Sequence, residues 1–447
     1  MSLLLDFYMR APFFLKRIFV NVEAIRRDYY RKYGEYEKLY GSIDFCALMT
    51  EAGMLKKHEL IDSLLLFIRE NVAYYRELPK FSTLEELPLM TKSEYAVNQD
   101  LLIADGVNKN HCWKSCTSGS TGRPLTYFNH RDNERTVKAY QEKFLEHIGI
   151  SPGDKSARIS GVCITTFDRL KPPYWVYIDK YIQLQLSAYH ISPETYAYYI
   201  QAMKQHKVRY GTGYTSAWLF LSQYLSKSKE NSPDLKAIIT DSEGVTLEQQ
   251  RFIENAFRCP VYQTYGLGEL GQIAVQCRKG NYHIVPALCH AEIVDDEGKK
   301  LQNGQRGEIV LTNLVSGKTP IVRYRTADYG ILEEGKCQCG WNTQYFTLID
   351  GRTDDYVIGN DGQKIGRLSH IIKPAVGVVE SQIIQEKIGG IRLLIIPGKK
   401  FEVSSMDTVI SNAKNYLGDM EIKWEIVDSL ERTKSAKVRR VIRKIKA

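Results

Sequence analysis

The sequence predicts an α/β protein of two domains: a large N-terminal one with mixed sheets and flanking helices, and a small C-terminal α+β one. Three observations lead there. The chain has 447 residues, more than one ordinary core accommodates. Between about 115 and 290, short strand-like runs alternate with helix-like ones, the pattern of parallel strands joined by helical crossovers. Beyond 291 the texture turns β-rich, and a polar, glycine-containing stretch at 350–366 separates it from a second mixed segment. The expected division is therefore 1–350 and 351–447.

In chain order, residues up to about 110 read as mainly helical. Apolar residues recur at helical intervals in Glu59-Leu-Ile-Asp-Ser-Leu-Leu-Leu-Phe-Ile68, and Pro79 and Pro88 then break the pattern. The N-terminus carries Leu3-Leu-Leu-Asp6 and Pro12-Phe-Phe-Leu-Lys16. Asp6 and Arg10 interrupt it and no small-residue cleavage site follows, so it is a poor signal peptide. It reads as a packed helix or, less commonly for such a segment, as a basic amphipathic helix on a membrane surface. The run Ser115-Cys-Thr-Ser-Gly-Ser-Thr-Gly-Arg-Pro124 is a hydroxyl- and glycine-rich loop, and Leu125-Thr-Tyr-Phe128 after it reads as a strand. Leu235-Lys-Ala-Ile-Ile-Thr240 is a buried-strand pattern. Thr246 with Gln249 then makes a capping box for a helix whose apolar side is Leu247, Ile253, Ala256 and Phe257, and Val261-Tyr-Gln-Thr264 is the next strand. Strands follow at 291–294 and 307–313, around a turn at Asp295-Asp-Glu-Gly298. In the small domain, strands are expected near 381–384, 391–396 and 423–427, with a helix starting at Ser404 or Ser405.

With 43% hydrophobic and 25% charged residues, the composition is that of a soluble globular protein. No run of about 18 apolar residues occurs, so no transmembrane helix is expected. The formal net charge of +9 is concentrated at one end: Arg432 to Ala447 hold eight Lys or Arg and no acid. A nucleic-acid surface would spread basic charge over a face or interleave it with aromatics, so a nucleic-acid partner is not expected. A terminal basic segment suits a solvated helix or phosphate binding. Nine cysteines without a secretory signal point to a reducing, cytoplasmic compartment, where clustered Cys and His more often mean metal than disulfide.

The loop from Thr117 to Gly122 has the chemistry to surround a polyphosphate. Its glycines allow close backbone approach, and backbone amides and hydroxyls are neutral donors to the anion. It lacks the Gly-Lys-Ser/Thr ending of a Walker loop. Further segments follow it in order: Ser242-Glu-Gly244, Tyr265-Gly-Leu-Gly-Glu269, Arg323-Tyr-Arg-Thr-Ala-Asp328, Gly351-Arg-Thr-Asp-Asp355 and Arg432-Thr-Lys-Ser-Ala-Lys437-Val-Arg439. Each alone is a weak signal. In this order the chain resembles, over about 70–447, the adenylate-forming superfamily of acyl-CoA synthetases, adenylation domains and luciferases. Asn71-Val-Ala-Tyr-Tyr75, Leu87-Pro-Leu-Met-Thr-Lys92 and Pro320-Ile-Val-Arg-Tyr-Arg-Thr-Ala-Asp328 look like its phenylacetate-CoA ligase-like branch, which includes ligases of capsular polysaccharide biosynthesis.

The resemblance implies a role for each segment. Thr117, Ser118, Gly119, Ser120, Thr121 and Gly122 would hold the β- and γ-phosphates of ATP. Ser242, Glu243 and Gly244 would wall the adenine slot, with Tyr265 and Gly266 opposite. Glu269 would hold Mg²⁺ against the phosphates, as suits a hard oxygen donor. Asp328 would accept from the ribose hydroxyls, and Arg352 would contact the ribose or phosphates. Lys437 would stabilise the charge that shifts between reacting oxygens as a carboxylate attacks the α-phosphate. Asp354 would be the hinge of a mobile small domain serving two half-reactions. The implied partners are a small carboxylic acid, ATP and CoA or another acyl acceptor; the oligomeric state is open, a dimer included. Tyr210-Gly-Thr-Gly-Tyr214 and Tyr265 to Gly271 would line the acid pocket, although Tyr214 and Trp218 suit a core equally.

Four positions depart from the family pattern. Gly268 stands for a Thr that touches the α-phosphate, Ala327 and Ala436 for glycines, and Leu125 for a Lys. The alanines are tolerable unless the backbone there needs positive φ. Separately, Cys277, His283, Cys337 and Cys339 offer four ligands of the kind that close a tetrahedral structural zinc site. Their spacing is not that of a zinc finger. Some phenylacetate-ligase-like members carry a similar Cys, His, Cys-x-Cys-Gly arrangement, matched here through Gly340, and Cys289 and His290 are alternative ligands. The expected activity is that of an AMP-forming acid–thiol ligase. The alternatives are acyl or aminoacyl transfer to a carrier protein or sugar amine, a non-catalytic nucleotide-binding relative, and a zinc-dependent nucleic-acid-binding protein.

Overall fold

The computed structural model describes residues 3–32, 34–116, 125–166, 169–192, 194–228, 230–245, 247–315, 317–352, 356–360, 362, 364–366, 368, 371, 378–397, 401–431 and 441–445. Two compact units result, one built from Met1–Cys116 and Thr126–Ile349, the other centred on Asp350–Ala447.

The larger unit begins helical: α1 (Leu3–Arg10), α2 (Phe13–Lys32), α3 (Tyr36–Ser42), α4 (Phe45–Leu48), α5 (Glu51–Asn71), α6 (Ala73–Arg76) and α7 (Lys92–Val97). α5 starts where Thr50 caps it by accepting from the Ala52 amide, and buries Leu64, Leu65 and Ile68 at helical spacing. α7 opens on a full capping box. The Thr91 hydroxyl accepts from the Glu94 amide at 3.2 Å, and the Glu94 carboxylate accepts from the Thr91 amide at 2.7 Å.

β1 (Cys112–Cys116) and β2 (Thr126–His130) form an antiparallel pair. Next come α8 (Arg131–His147), β3 (Ser156–Ser160), β4 (Trp175–Ile178), β5 (Gln183–Ser187), α9 (Tyr196–Gln205), β6 (Tyr210–Tyr214), α10 (Thr215–Lys227), β7 (Ala237–Asp241), α11 (Leu247–Phe257) and β8 (Val261–Leu267). The remaining strands of this unit are β9 (Gly271–Gln276), β10 (Tyr282–Ile284), β11 (Cys289–Val294), β12 (Arg306–Asn313), β13 (Tyr324–Lys336) and β14 (Asn342–Arg352).

Twelve strands make one mixed sheet in the order β11-β12-β13-β14-β10-β9-β8-β7-β6-β3-β5-β4. From β5 through β3, β6 and β7 to β8 the pairing is parallel; from β8 to β9 it is antiparallel. β8 is thus the strand where the sheet changes character. The parallel strands are buried on both faces, and Ala237 to Thr240 are accordingly an uninterrupted buried run. Their core includes Ile159, Leu186, Trp218, Ile238, Ile253 and Phe257.

One open alternative about a side chain is decided here and one expectation changes. Trp218 is fully buried, donates from its indole nitrogen to the Thr212 carbonyl at 3.1 Å, and lies where a Cβ on Gly211 would fall. It belongs to the core and not to a ligand pocket. Leu247 is 57% exposed: α11 buries Ile253 and Phe257, so its inward face is narrower than the apolar pattern suggests. The proposed cap Thr246 lies outside the described residues.

In the smaller unit, β15 (Tyr356–Ile358) pairs with β16 (Lys364–Gly366). β17 (Val378–Lys387) and β18 (Gly390–Pro397) form a hairpin. α12 (Ser405–Leu417) follows, then β19 (Glu421–Ile426) parallel to β18 and β20 (Val441–Arg443) parallel to β17. α12 contributes Met406, Val409, Ala413 and Leu417 to a core with Ile383, Leu393 and Ile395 of the sheet. Among the described residues, no helix is long and apolar enough to cross a membrane.

Candidate functional site

At the carboxyl end of β7 the chain turns through Ser242, whose φ is 65°. Asp241 before it accepts from both Arg158 terminal nitrogens, at 2.7 and 3.3 Å, and from the Ser242 hydroxyl at 2.9 Å. Glu243 is buried. Its carboxylate accepts from the Ser216 amide at 2.7 Å and hydroxyl at 3.0 Å, which satisfies the N-terminus of α10. Its carbonyl accepts from the Thr215 hydroxyl at 3.2 Å. The Glu243 side chain therefore anchors this turn, while Ser242 and Gly244 are the exposed members of the motif.

β8 carries the next motif. A register irregularity falls between Tyr265 and Gly266, and a Cβ at 266 would lie 2.1 Å from the Gly271 carbonyl oxygen, so only glycine lets β8 and β9 approach this closely. Tyr265 donates its phenol to Asp328 Oδ2 at 3.0 Å, and both residues are buried. Buried Glu269 accepts from the Tyr324 phenol at 2.8 Å. The Tyr127 phenol donates to the Gly268 carbonyl at 2.6 Å. Residues from β2, β8 and β13, far apart in the chain, thus meet around one turn.

Asp328 owes its position to a break in β13. Ala327 has φ 62°, the left-handed region that costs an L-residue about 1–2 kcal/mol. Three hydrogen bonds hold it there. The Ala327 amide donates to Glu308 Oε1 at 3.0 Å, the Asp328 amide to the Thr326 hydroxyl at 3.0 Å, and that hydroxyl to the Ile309 carbonyl at 2.8 Å. The β12–β13 register shifts between Glu308 and Val310 as a result. The positive φ is the condition under which replacing the family's glycine is not neutral.

The strand's approach is fixed by Arg323, a residue the motif contains but sequence reading gave no role. Its guanidinium forks onto Glu292 at 3.0 and 2.9 Å and donates to the carbonyls of Glu85 and Leu87 at 3.0 and 2.6 Å. The Met90 amide donates to the Arg323 carbonyl and the Arg325 amide to the Met90 carbonyl, both at 2.9 Å. These contacts strap 85–90 to the start of β13. Tyr324 was also missed; its position four residues before Asp328 on the same strand was the available signal.

Thr117 to Gly122, Asp354 and Lys437 lie outside the described residues. Arg352 ends β14, and its side chain is likewise outside them.

A second cluster joins β9, β10 and the β13–β14 turn. Cys277, His283, Cys337 and Cys339 bring their ligand atoms within 4.8 Å of one another. His283 is fully buried, and its Nδ1 lies 2.8 Å from the Thr343 hydroxyl, which itself donates to the Gln344 carbonyl at 3.1 Å. That hydroxyl must therefore accept from Nδ1–H, leaving Nε2 as a lone pair 3.4 Å from Cys339 Sγ. Asn281 Nδ2 and the Cys339 amide both point at Cys337 Sγ, at 3.2 and 3.5 Å, stabilising a thiolate; the Cys337 thiol lies below its ordinary pKa. Burial drives His283 down to about 4 and pushes Cys339 up to about 12. Three sulfurs and one oriented imidazole fit a structural zinc site, with the surrounding hydrogen bonds such ligands need. Cys289 and His290 are not members of this group.

Comparison with known proteins adds the class. Residues 186–315 match the AMP-binding enzyme family, and residues 357–444 match the CapK C-terminal domain. Protein CapK of Staphylococcus aureus is 25% identical over 465 aligned residues, covering 98% of this chain and 99% of CapK. A phenylacetate-coenzyme A ligase of Thermus thermophilus is 35% identical over 104 residues, covering 21% of this chain and 22% of that enzyme. The crystal structure of a 2-hydroxyisobutyryl-CoA ligase, bound to 2-HIB-AMP and CoA, superposes with a TM-score of 0.58 at 18% identity, covering 93% of this chain and 91% of that one; at that identity it speaks for the fold. The matched AMP-binding segment, these relatives and the shared fold support the adenylate-forming superfamily as the class of this chain. Within it, the similarity to CapK runs along the whole length of both chains, and that to a phenylacetate-coenzyme A ligase covers about a fifth of each.

Proposed function

We propose that the protein is an ATP-dependent, AMP-forming ligase that activates a carboxylic acid as its acyl adenylate and transfers the acyl group to the thiol of CoA. The observation that carries this reading is the bond between Tyr265 and Asp328, which joins two expected nucleotide-binding motifs 63 residues apart. In the first step a substrate carboxylate oxygen attacks the α-phosphorus of ATP, and the bond to pyrophosphate breaks. In the second the CoA thiolate attacks the acyl carbon, and the bond to AMP breaks.

Each residue takes a part. Tyr265 offers a ring face to adenine while its hydroxyl orients Asp328 to accept from the ribose. Gly266 lets the backbone approach, and the exposed Ser242–Gly244 turn, anchored by Glu243, forms the facing wall. Thr117 to Gly122 cradle the departing phosphates. Glu269, oriented by Tyr324, has a further carboxylate oxygen to offer Mg²⁺, which when bound neutralises phosphate charge. Lys437 stabilises the charge developing at the α-phosphate; Arg352 contacts ribose or phosphate, and Asp354 is the hinge of a small domain of about 351–447. Cys277, His283, Cys337 and Cys339 hold zinc as a staple of the β-rich end of the sheet. The setting is cytoplasmic, where ATP and CoA are available.

A second reading keeps the adenylation but sends the acyl or aminoacyl group to a carrier protein or sugar amine in surface-polysaccharide assembly. It is favoured by the similarity to CapK over both full lengths. Incubation with ATP, Mg²⁺, CoA and a panel of acids separates the two. Acid-dependent AMP formation matched by loss of CoA thiol supports the first. AMP formation trapped by hydroxylamine without CoA loss supports the second, and no acid-dependent AMP from any acid overturns both.

A further inference from the structure

The helix α2 packs only one of its sides. Lys16, Ala24 and Asp28 are buried, and Asn21 grips the sheet's edge by donating to the Tyr177 carbonyl at 3.2 Å and accepting from the Asp179 amide at 2.7 Å. The opposite side is apolar and open. Ile18, Val22, Ile25 and Tyr29 are 54, 61, 57 and 69% exposed. With half-buried Leu15 they recur at alternating intervals of three and four residues, the a and d positions of a coiled-coil seam. Phe14 and Phe19 flank the seam, and Phe7 of α1 packs edge-on against Phe19 at 6.4 Å and widens it.

The size of this patch demands a partner. Seven large apolar side chains, each of ~150–200 Å² and on average more than half exposed, present roughly 600–800 Å². A monomer's largest patch is usually about 300–600 Å², and a standard protein interface takes ~800 Å² from each side. Charge decides what the partner is. An anionic membrane would need free cations along the helix. Here Arg17 is paired with Asp179 at 2.6 Å, Arg26 and Arg27 with Glu23 at 2.8 and 2.9 Å, and Arg31 with Glu134 at 3.1 Å. Arg26 and Arg27 also lie over the Trp113 ring, at 4.5 and 4.8 Å. Each of these arginines has a partner within the chain, Arg26 and Arg27 sharing Glu23, and what the seam presents outward is a hydrophobic heptad complementary to itself.

We propose that the α2 seam pairs with the same seam of a second copy of this chain, forming an isologous helix–helix dimer interface. The test is sedimentation velocity of the full chain at micromolar concentration, wild type against Ile18→Glu/Ile25→Glu and Ile18→Leu/Ile25→Leu. The wild type and the leucine variant should sediment at twice the 51.3 kDa chain mass, and the glutamate variant at the single mass. Two buried charges should weaken association by more than about a hundredfold, with the circular dichroism unchanged because both positions are exposed in the single chain. Hydrogen exchange of α2 amides in the wild type, which needs no substitution, should slow on concentrating the protein. A monomeric wild type, a dimer that survives the glutamates, or concentration-independent exchange would overturn the proposal. So would a monomer whose seam is needed only to co-sediment with phosphatidylglycerol vesicles.

Discussion

Replacing Ala327 with glycine should stabilise the protein, an unusual direction for a substitution beside a buried carboxylate such as Asp328. Ala327 sits at φ 62° and is exposed, so its methyl group buries nothing. The left-handed conformation costs about 1–2 kcal/mol for an L-residue. Glycine removes that cost but loses about 0.5–1 kcal/mol of backbone entropy on folding. The difference leaves a net gain of about 0.5–1 kcal/mol. Two of the three hydrogen bonds that hold the kink use backbone amides, from Ala327 to Glu308 and from Asp328 to Thr326, and the third is donated by the Thr326 hydroxyl, so the variant keeps all three. The assay is urea unfolding of wild type, Ala327→Gly and Ala327→Val followed by tryptophan fluorescence. The glycine variant should unfold at higher urea and the valine variant at lower, since a β-branched residue is worst suited to that region. A glycine variant less stable than wild type would refute the idea that strain is stored at this bend.

Other outcomes follow from the same geometry. Tyr265→Phe removes the donor to a buried carboxylate, a loss of about 1–2 kcal/mol, so the KM for ATP should rise roughly 5–30-fold with less change in the KM for the acid; equal effects on both would contradict an orienting role on the nucleotide side. Purified protein should carry close to one equivalent of tightly bound zinc, lost in Cys339→Ser; less than about half an equivalent in the wild type would remove the zinc assignment. Burial lowers His290 to about 3, so it stays neutral in the folded chain while the unfolded chain protonates it near 6.5. Its contribution is full above that pH and falls as pH drops toward 3, by up to about 1.4 kcal/mol per pH unit. Urea unfolding at pH 7 and pH 5.5 checks this, and His290→Gln should flatten the difference.

What the sequence revealed was mostly periodicity and local chemistry. The strands near 237, 261, 291 and 307 were visible because buried strands and turns have local signatures. The alternation of strand and helix likewise indicated parallel pairing. Side-chain destinations were less legible. Trp218 could be called core only once Gly211 was seen to lie under its ring, and Leu247 belongs to an apolar pattern yet faces solvent. The engagement of Glu243 with Ser216 is a contact across 27 residues that nothing local encodes. Tyr324 and Arg323 escaped notice for the same reason, because their partners Glu269, Glu292 and the 85–90 strap come from remote segments. Ala327 is the instructive case: the sequence posed the condition on φ, and only the backbone could answer it.

The central claim is that this chain makes an acyl adenylate. Its most direct test is carboxylate-dependent ATP–pyrophosphate exchange over a broad acid panel, with wild type beside Lys437→Ala. The account predicts exchange that requires an acid and that falls by at least about a hundredfold in the variant, while ATP binding persists. Exchange that is unchanged in Lys437→Ala would contradict the role given to that lysine, and no exchange with any acid would contradict the claim itself.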